Sequence, residues 1–142
     1  MFVDYENQFS DAQAVTASAA STNVVDMLKK KRGAGAKPLK IQCSVQTQLA
    51  SAGGTATLTV SVQSANVEAF GTKTTHFSTA AIAEASLVAG YDFNLPPLPD
   101  DIGRYVRLYF TVANENFTSG NIDGALVLDK QSNNYEFIAA QQ

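Results

Sequence analysis

The residues of this chain that could do chemistry are few and scattered. His76 is the single histidine and Cys43 the single cysteine among 142 residues. A metal held inside a cupin-type β-barrel usually takes two or more histidines, and a thiolate cluster needs several cysteines. A Ser-His triad wants its serine on a G-x-S-x-G elbow, and no such run occurs. Asp100–Asp101 are adjacent carboxylates, but they stand between Pro99 and Gly103, the setting of a solvated turn. The run Gly33–Lys37, GAGAK, hints at a phosphate loop. That motif requires G-x-x-x-x-G-K-[ST] before a helix, and here the lysine is followed by Pro38. Asn116–Phe117–Thr118 is formally a glycosylation acceptor, read as chance because no secretory signal accompanies it. The expectation is no catalytic residue, no cofactor and no metal, hence not an enzyme.

Chemistry suited to binding is easier to find. In Arg104–Ala113, RYVRLYFTVA, the residues Tyr105, Arg107 and Tyr109 share one side of a period-two pattern, and Tyr and Arg are enriched at interfaces. The opposite side carries Val106, Leu108, Phe110 and Val112, so the segment reads as a half-buried strand. Lys29–Lys30–Lys31–Arg32 hold four of the ten basic residues. They read either as a solvated linker or as a contact with an acidic neighbour. The net charge of −3 argues against a general nucleic-acid binder. Charged residues make up only 16% of the chain, a low figure that suits a surface partly covered by a partner.

The elements that would position these residues are strands. Leu39–Thr47 and Ala56–Ser64 alternate apolar and polar residues around Ser51–Gly54, and together they predict a β-hairpin. Short strands are expected near Gln13–Ala17, Thr22–Met27, Thr74–Thr79, Ile82–Leu87 and Tyr91–Leu95. Leu95–Pro99, LPPLP, reads as a rigid crossing loop. Ile122–Asp129 is a further strand, paired with Arg104–Ala113 across a short polar turn, and Tyr135–Ile138 is a possible edge strand. Eight to ten short strands without a helix give an all-β fold: a sandwich, jelly roll or barrel. Residues 1–38 are read as an N-terminal arm with a basic, Gly-rich linker, and residues 39–142 as the β-sandwich domain.

The opening MFVDYENQF has no basic region or long apolar run, so neither a signal peptide nor a membrane span is expected. Synthesis in a reducing cytoplasm fits the lone cysteine, which lies on the apolar side of its strand.

Four segments in order carry a resemblance. They are FSDAQAVTASAASTNVVDM (Phe9–Met27), LVAGYDFNLPPLP (Leu87–Pro99), RYVRLYFTVA (Arg104–Ala113) and FTSGNIDGALVLD (Phe117–Asp129). Together they resemble the jelly-roll cement, or decoration, proteins of tailed bacteriophages. Lys29–Lys37 departs from the pattern, where a shorter and less basic connection is usual. The resemblance implies a single jelly-roll β-sandwich of about eight strands with an extended N-terminal arm. It implies a location on the outer surface of the virion capsid, bound to an HK97-type major capsid protein. A homo-oligomer, a dimer before a trimer, follows as the expected assembly, with no direct contact to nucleic acid or membrane. The expected interface residues are Phe2, Tyr5 and Phe9 of the arm, Lys29, Lys30, Lys31 and Arg32, and the outward Tyr105, Arg107 and Tyr109. The arm is expected to serve attachment more than folding. A carbohydrate-binding module and a tail or baseplate protein remain the alternatives.

Overall fold

Period-two burial is clearest in Tyr105–Ala113, where Val106, Leu108 and Phe110 are fully buried and Tyr105, Arg107 and Tyr109 are half-exposed. The computed structural model describes residues 4–28 and 38–129. Its strands are β1 (Gln8–Ala14), β2 (Ala19–Ala20), β3 (Val25–Asp26), β4 (Lys40–Ser51), β5 (Thr57–Ala65), β6 (Thr74–Ser78), β7 (Ile82–Ala83), β8 (Tyr105–Ala113) and β9 (Phe117–Val127). Two single 3-10 turns, Tyr5–Asn7 and Glu84–Ser86, are the only other regular elements among the described residues.

The strands form two antiparallel sheets. One has the order β1-β9-β4. Residues 87–98 run along the free edge of β4, with Val45 N–H donating to Tyr91 O (2.8 Å), Phe93 N–H to Cys43 O (2.9 Å) and Leu98 N–H to Leu39 O (2.9 Å). The other sheet has the order β2-β8-β5-β6, with β3 beside β8 and β7 beside β5. Each sheet is therefore four positions wide. The chain visits the two sheets alternately, which is the winding of a jelly roll. The all-β, jelly-roll-like sandwich expected from the sequence is what forms.

Between the sheets lie Ile41, Cys43, Val45 and Leu49 from β4 and Ile122 from β9. They face Leu58 and Val60 from β5 and Val106, Leu108 and Phe110 from β8, all at 0–1% exposure. Apolar surface removed from water on this scale is the main force holding such a sandwich.

Four local expectations are corrected. The segment pairs β4/β5 and β8/β9 are not hairpins: β4 pairs with β9, and β5 pairs with β8. Alternation fixes which side of a strand is buried and is silent about its neighbour, so two successive strands can face each other across a core. The Ser51–Gly54 turn, with Gly54 at φ +70°, therefore crosses from one sheet to the other. Tyr91–Leu95 makes one bridge, Asp92 to Ser44, along an edge in place of a full strand, and Ile82–Leu87 shortens to β7 and the 3-10 turn. The suggested strand at Tyr135–Ile138 lies outside the described residues.

The division at residue 38 does not separate an arm from a core. β1 pairs with β9, and β2 and β3 pair with β8, so the leading segment occupies an edge of each sheet. Four of its apolar side chains, Phe9, Val15, Val25 and Met27, are in the core at 0–3% exposure. Where this segment breaks its pairing, serine hydroxyls take over. Ser21 Oγ accepts from Leu108 N–H (3.1 Å) and donates to Asn23 O (2.9 Å), while Ser18 Oγ accepts from Val112 N–H (2.8 Å). The Gln13 amide spans the crossing between β1 and β3, accepting from Thr22 N–H and donating to Ala20 O, both at 2.9 Å.

Among the described residues no free sheet edge is regular. β1 is bulged twice and holds Ala12 at φ +46°, and β2 and β3 are separated by residues 21–24. β6 slips register beside Val62 and Gln63, and the 87–98 segment ends among Pro96, Pro97 and Pro99. Bulges, short strands and prolines are the devices that stop an edge from pairing with another chain.

Candidate interaction surface

The outer side of β8 brings Tyr105, Arg107 and Tyr109 together as expected, but the Arg107 guanidinium and both tyrosine rings are already engaged within the chain. Residues 66–73 fold back over this face and place Phe70, 5% exposed, under the Arg107 guanidinium at 4.1 Å from ring centroid to Cζ. Arg107 also lies 5.6 Å from the Tyr109 ring, and its Nε donates to Gln63 Oε1 at 3.0 Å. A guanidinium stacked on one ring and bonded to a buried amide holds the 66–73 loop against the sheet. Arg104 stacks on Tyr105 (4.9 Å) and forms a two-pronged pair with Asp26, both contacts 2.9 Å, tying β3 to the start of β8.

The remaining expected interface residues separate. Tyr5 is 73% exposed and open to a partner. Phe9 is fully buried between the sheets and cannot be an interface residue: it supplies core volume where β1 meets β9. Phe2, Lys29, Lys30, Lys31 and Arg32 lie outside the described residues.

His76 stands at the β6 edge with Nε2 2.7 Å from Ser64 Oγ, which also accepts from Gly103 N–H at 3.0 Å. Ser64 is 3% exposed, so the imidazole closes a buried hydroxyl and fixes the turn into β8. Beside it, Val62, Phe77 and the Pro96–Pro99 segment line a cleft of about 140 Å³. Small-molecule sites usually span roughly 300–1,000 Å³. Among the described residues no group of three or more His, Cys, Asp or Glu is placed to hold a metal ion. No helix there is long and apolar enough to cross a membrane.

One polar cluster was invisible in the sequence. At the end of the sandwich where β4 passes to β5, Glu115 Oε1 and Oε2 accept from Gly53 N–H at 2.8 and 3.0 Å. Glu115 Oε2 also accepts from Ser51 Oγ (3.0 Å) and Thr55 Oγ1 (3.3 Å). Ser51 Oγ in turn contacts Glu84 Oε2 and accepts from Gly54 N–H at 3.1 Å. The cluster pins two of the crossings between the sheets, residues 52–56 and 114–116, to the 3-10 turn at Glu84. No spacing rule links a glutamate to a turn some 60 residues away, so only the fold reveals it.

The Gly53 amide, then the Ser51 hydroxyl, hold the Glu115 carboxyl below its ordinary value. A depressed folded value contributes stability above the unfolded pKa, and that contribution is lost as pH falls through the folded value. Glu115→Gln is therefore expected to melt at a lower temperature than the parent chain at neutral pH, with the gap closing as pH falls below the ordinary glutamate range. A gap that stays constant across thermal melts over this range would show that ionisation of Glu115 contributes nothing.

Comparison with curated proteins finds no match to the chain. The Bbp16 family model matches residues 9–126, from the first buried residue of β1 to the inward Leu126 of β9, so the leading segment and both sheets fall within it. The chain belongs to the Bbp16 family.

Proposed function

We propose that the chain is a structural cement, or decoration, protein that binds the outside of an HK97-type capsid shell and bridges neighbouring major capsid subunits. The observation that carries this reading is the ordered resemblance of Phe9–Met27, Leu87–Pro99, Arg104–Ala113 and Phe117–Asp129 to that class of protein. In the fold these segments interlock: the first supplies β1–β3, the second covers the edge of β4, and the last two are β8 and β9. The surface supports the reading in a second way. The outer side of β4 and β9 presents Gln42, Ser44, Gln46, Asn121 and Thr118 with Lys40 and Asp123 among them, a polar face suited to hydrogen-bonded contact with another protein.

In this reading the chain acts mechanically, without catalysis or a cofactor, and without direct contact to nucleic acid or membrane. Many weak contacts repeated over a shell add through effective concentration, so internal pressure must break several at once. A homodimer using one self-complementary patch is the simplest repeating unit.

The test is to assemble shells of the cognate capsid protein with and without this chain. Shells that take up the chain in many regularly spaced copies, visible in cryo-EM maps, and that open at a higher temperature are the expected result. Recovery of the chain with tails, or no uptake by shells at any concentration, overturns the reading.

A further inference from the structure

Along one side of the sandwich a gap remains between the two sheets. β6 is the outer strand of one sheet there, and residues 87–98 form the edge of the other. Val62, His76, Phe77, Pro96, Pro97 and Pro99 line the resulting cleft of about 140 Å³. The three prolines are exposed and Phe77 is half-buried, so the walls are apolar and open to water. The one polar group among these six, the imidazole of His76, already has Nε2 on Ser64 Oγ. An apolar cavity of about 150 Å³ takes up a single benzene ring. The cleft is therefore the size of one aromatic side chain.

Few rings of this chain are free to fill it. Of the aromatic residues in the described segments, only Phe77 lines the cleft. Outside those segments the aromatic residues are Phe2, Tyr135 and Phe137. Phe2 is on the wrong side. It leads into β1 at the far edge of its sheet, three strand spacings or about 14 Å from residues 96–98. The two residues from Asp4 back to Phe2 span only about 7 Å.

Residues 130–142 start from the right place. β9 and residues 96–98 flank β4 on its two sides, since Val127 pairs with Lys40 while Leu98 N–H donates to Leu39 O at 2.9 Å. Two strand spacings, about 10 Å, separate them. Asp129 is held at this point by Lys40 Nζ at 2.7 Å. Tyr135 and Phe137 follow Asp129 by six and eight residues, a reach of up to roughly 20–26 Å. With Ile138 they are the only large apolar residues after Asp129.

We propose that residues 130–142 cross the start of β4 and seat the ring of Tyr135 or Phe137 in this cleft, as a strap of the chain's own. A ring seated there covers Phe77 and the prolines, and ties together two sheet edges that no ladder joins. The inference does not depend on the cement reading, because the family match stops at residue 126.

His76 is the only histidine and lines the cleft, so its ring protons report on whatever sits there. The experiment compares proton NMR spectra and thermal melts of the full-length chain with those of full-length Tyr135→Ala/Phe137→Ala. The expected result is a displacement of the His76 signals, as the ring current is lost, and a melting temperature lower by about 2–8 °C. Pro97→Glu places a charge in an exposed part of the cleft wall. In that background the two alanine substitutions are expected to lower the melting temperature no further. The single variants then identify the ring. Unmoved His76 signals overturn the inference. An equal loss of melting temperature in the Pro97→Glu background also overturns it, since the rings then pack elsewhere. So does a His76 displacement that depends on protein concentration, which assigns the ring to a second copy of the chain.

Discussion

A chain lacking residues 1–27 is expected not to fold. Far-ultraviolet circular dichroism should show no native sheet signal, and heating should give no cooperative transition. The truncation removes Phe9, Val15, Val25 and Met27, four core side chains at 0–3% exposure. Truncating one buried Phe to Ala costs about 3–5 kcal/mol, and the whole stability of a domain is roughly 5–15 kcal/mol. The deletion also strips β9 of β1 on one edge and β8 of β2 and β3, exposing the backbone groups those strands satisfied. A soluble, cooperatively melting product would mean that the remaining strands close a core without these edges. The milder change Phe9→Ala should leave a folded chain with a clearly lowered melting temperature.

Gly120→Ala is expected to be among the most damaging single substitutions. Gly120 has φ +120°, a conformation open to glycine and strained for residues with a Cβ. A Cβ there would meet Leu49 Cα at 2.5 Å, Leu49 Cγ at 2.7 Å and Gln48 O at 2.9 Å, mostly backbone and inner side chain that cannot swing aside. Strain of about 1–3 kcal/mol and overpacking of a further 1–3 kcal/mol bring the expected loss to roughly 2–6 kcal/mol, measured by urea unfolding. Gly124→Ala is the informative comparison, because its nearest contact, Leu108 Cδ1 at 2.8 Å, is the tip of a flexible side chain. If the two glycines cost the same, backbone conformation at Gly120 is not what matters.

These two sites also mark how far the sequence could be read. Alternation in Arg104–Ala113 and Leu39–Thr47 identified the buried faces correctly, because side-chain direction in a strand follows from covalent geometry alone. Pairing was not legible. Leu58, Val60 and Val62 make the same apolar stripe whether β5 lies beside β4 or across the core from it. The leading segment misled for a related reason: its average composition is small and polar, yet Phe9, Val15, Val25 and Met27 fall where an inner face needs them. Its serines and Gln13 read as the polar filler of a loop, and in the fold they complete the hydrogen bonding of β8 and of the β1–β3 crossing. At the candidate surface, the sequence supplied the outward Tyr105, Arg107 and Tyr109. That Phe70 would be laid against Arg107 by a loop some 35 residues earlier could not be read from residue types.

The pairing of β1 with β9 sets an order of events in the cell. The earliest strand to leave the ribosome waits for the latest before it acquires its neighbour, and β2 and β3 likewise wait for β8. Since the β4/β5 and β8/β9 crossings join opposite sheets, β4 with β5 and β8 with β9 cannot nucleate as local ribbons during synthesis, whereas β5 with β6 can. Closure of loops of about a hundred residues must precede the contacts that reward it, the condition under which β proteins fold slowly. Until residue 127 has been made, Phe9 and Val25 have no complete core to enter. The nascent chain therefore spends its whole synthesis with adhesive surface exposed, and its yield depends on translation rate and on chaperones as much as on final stability.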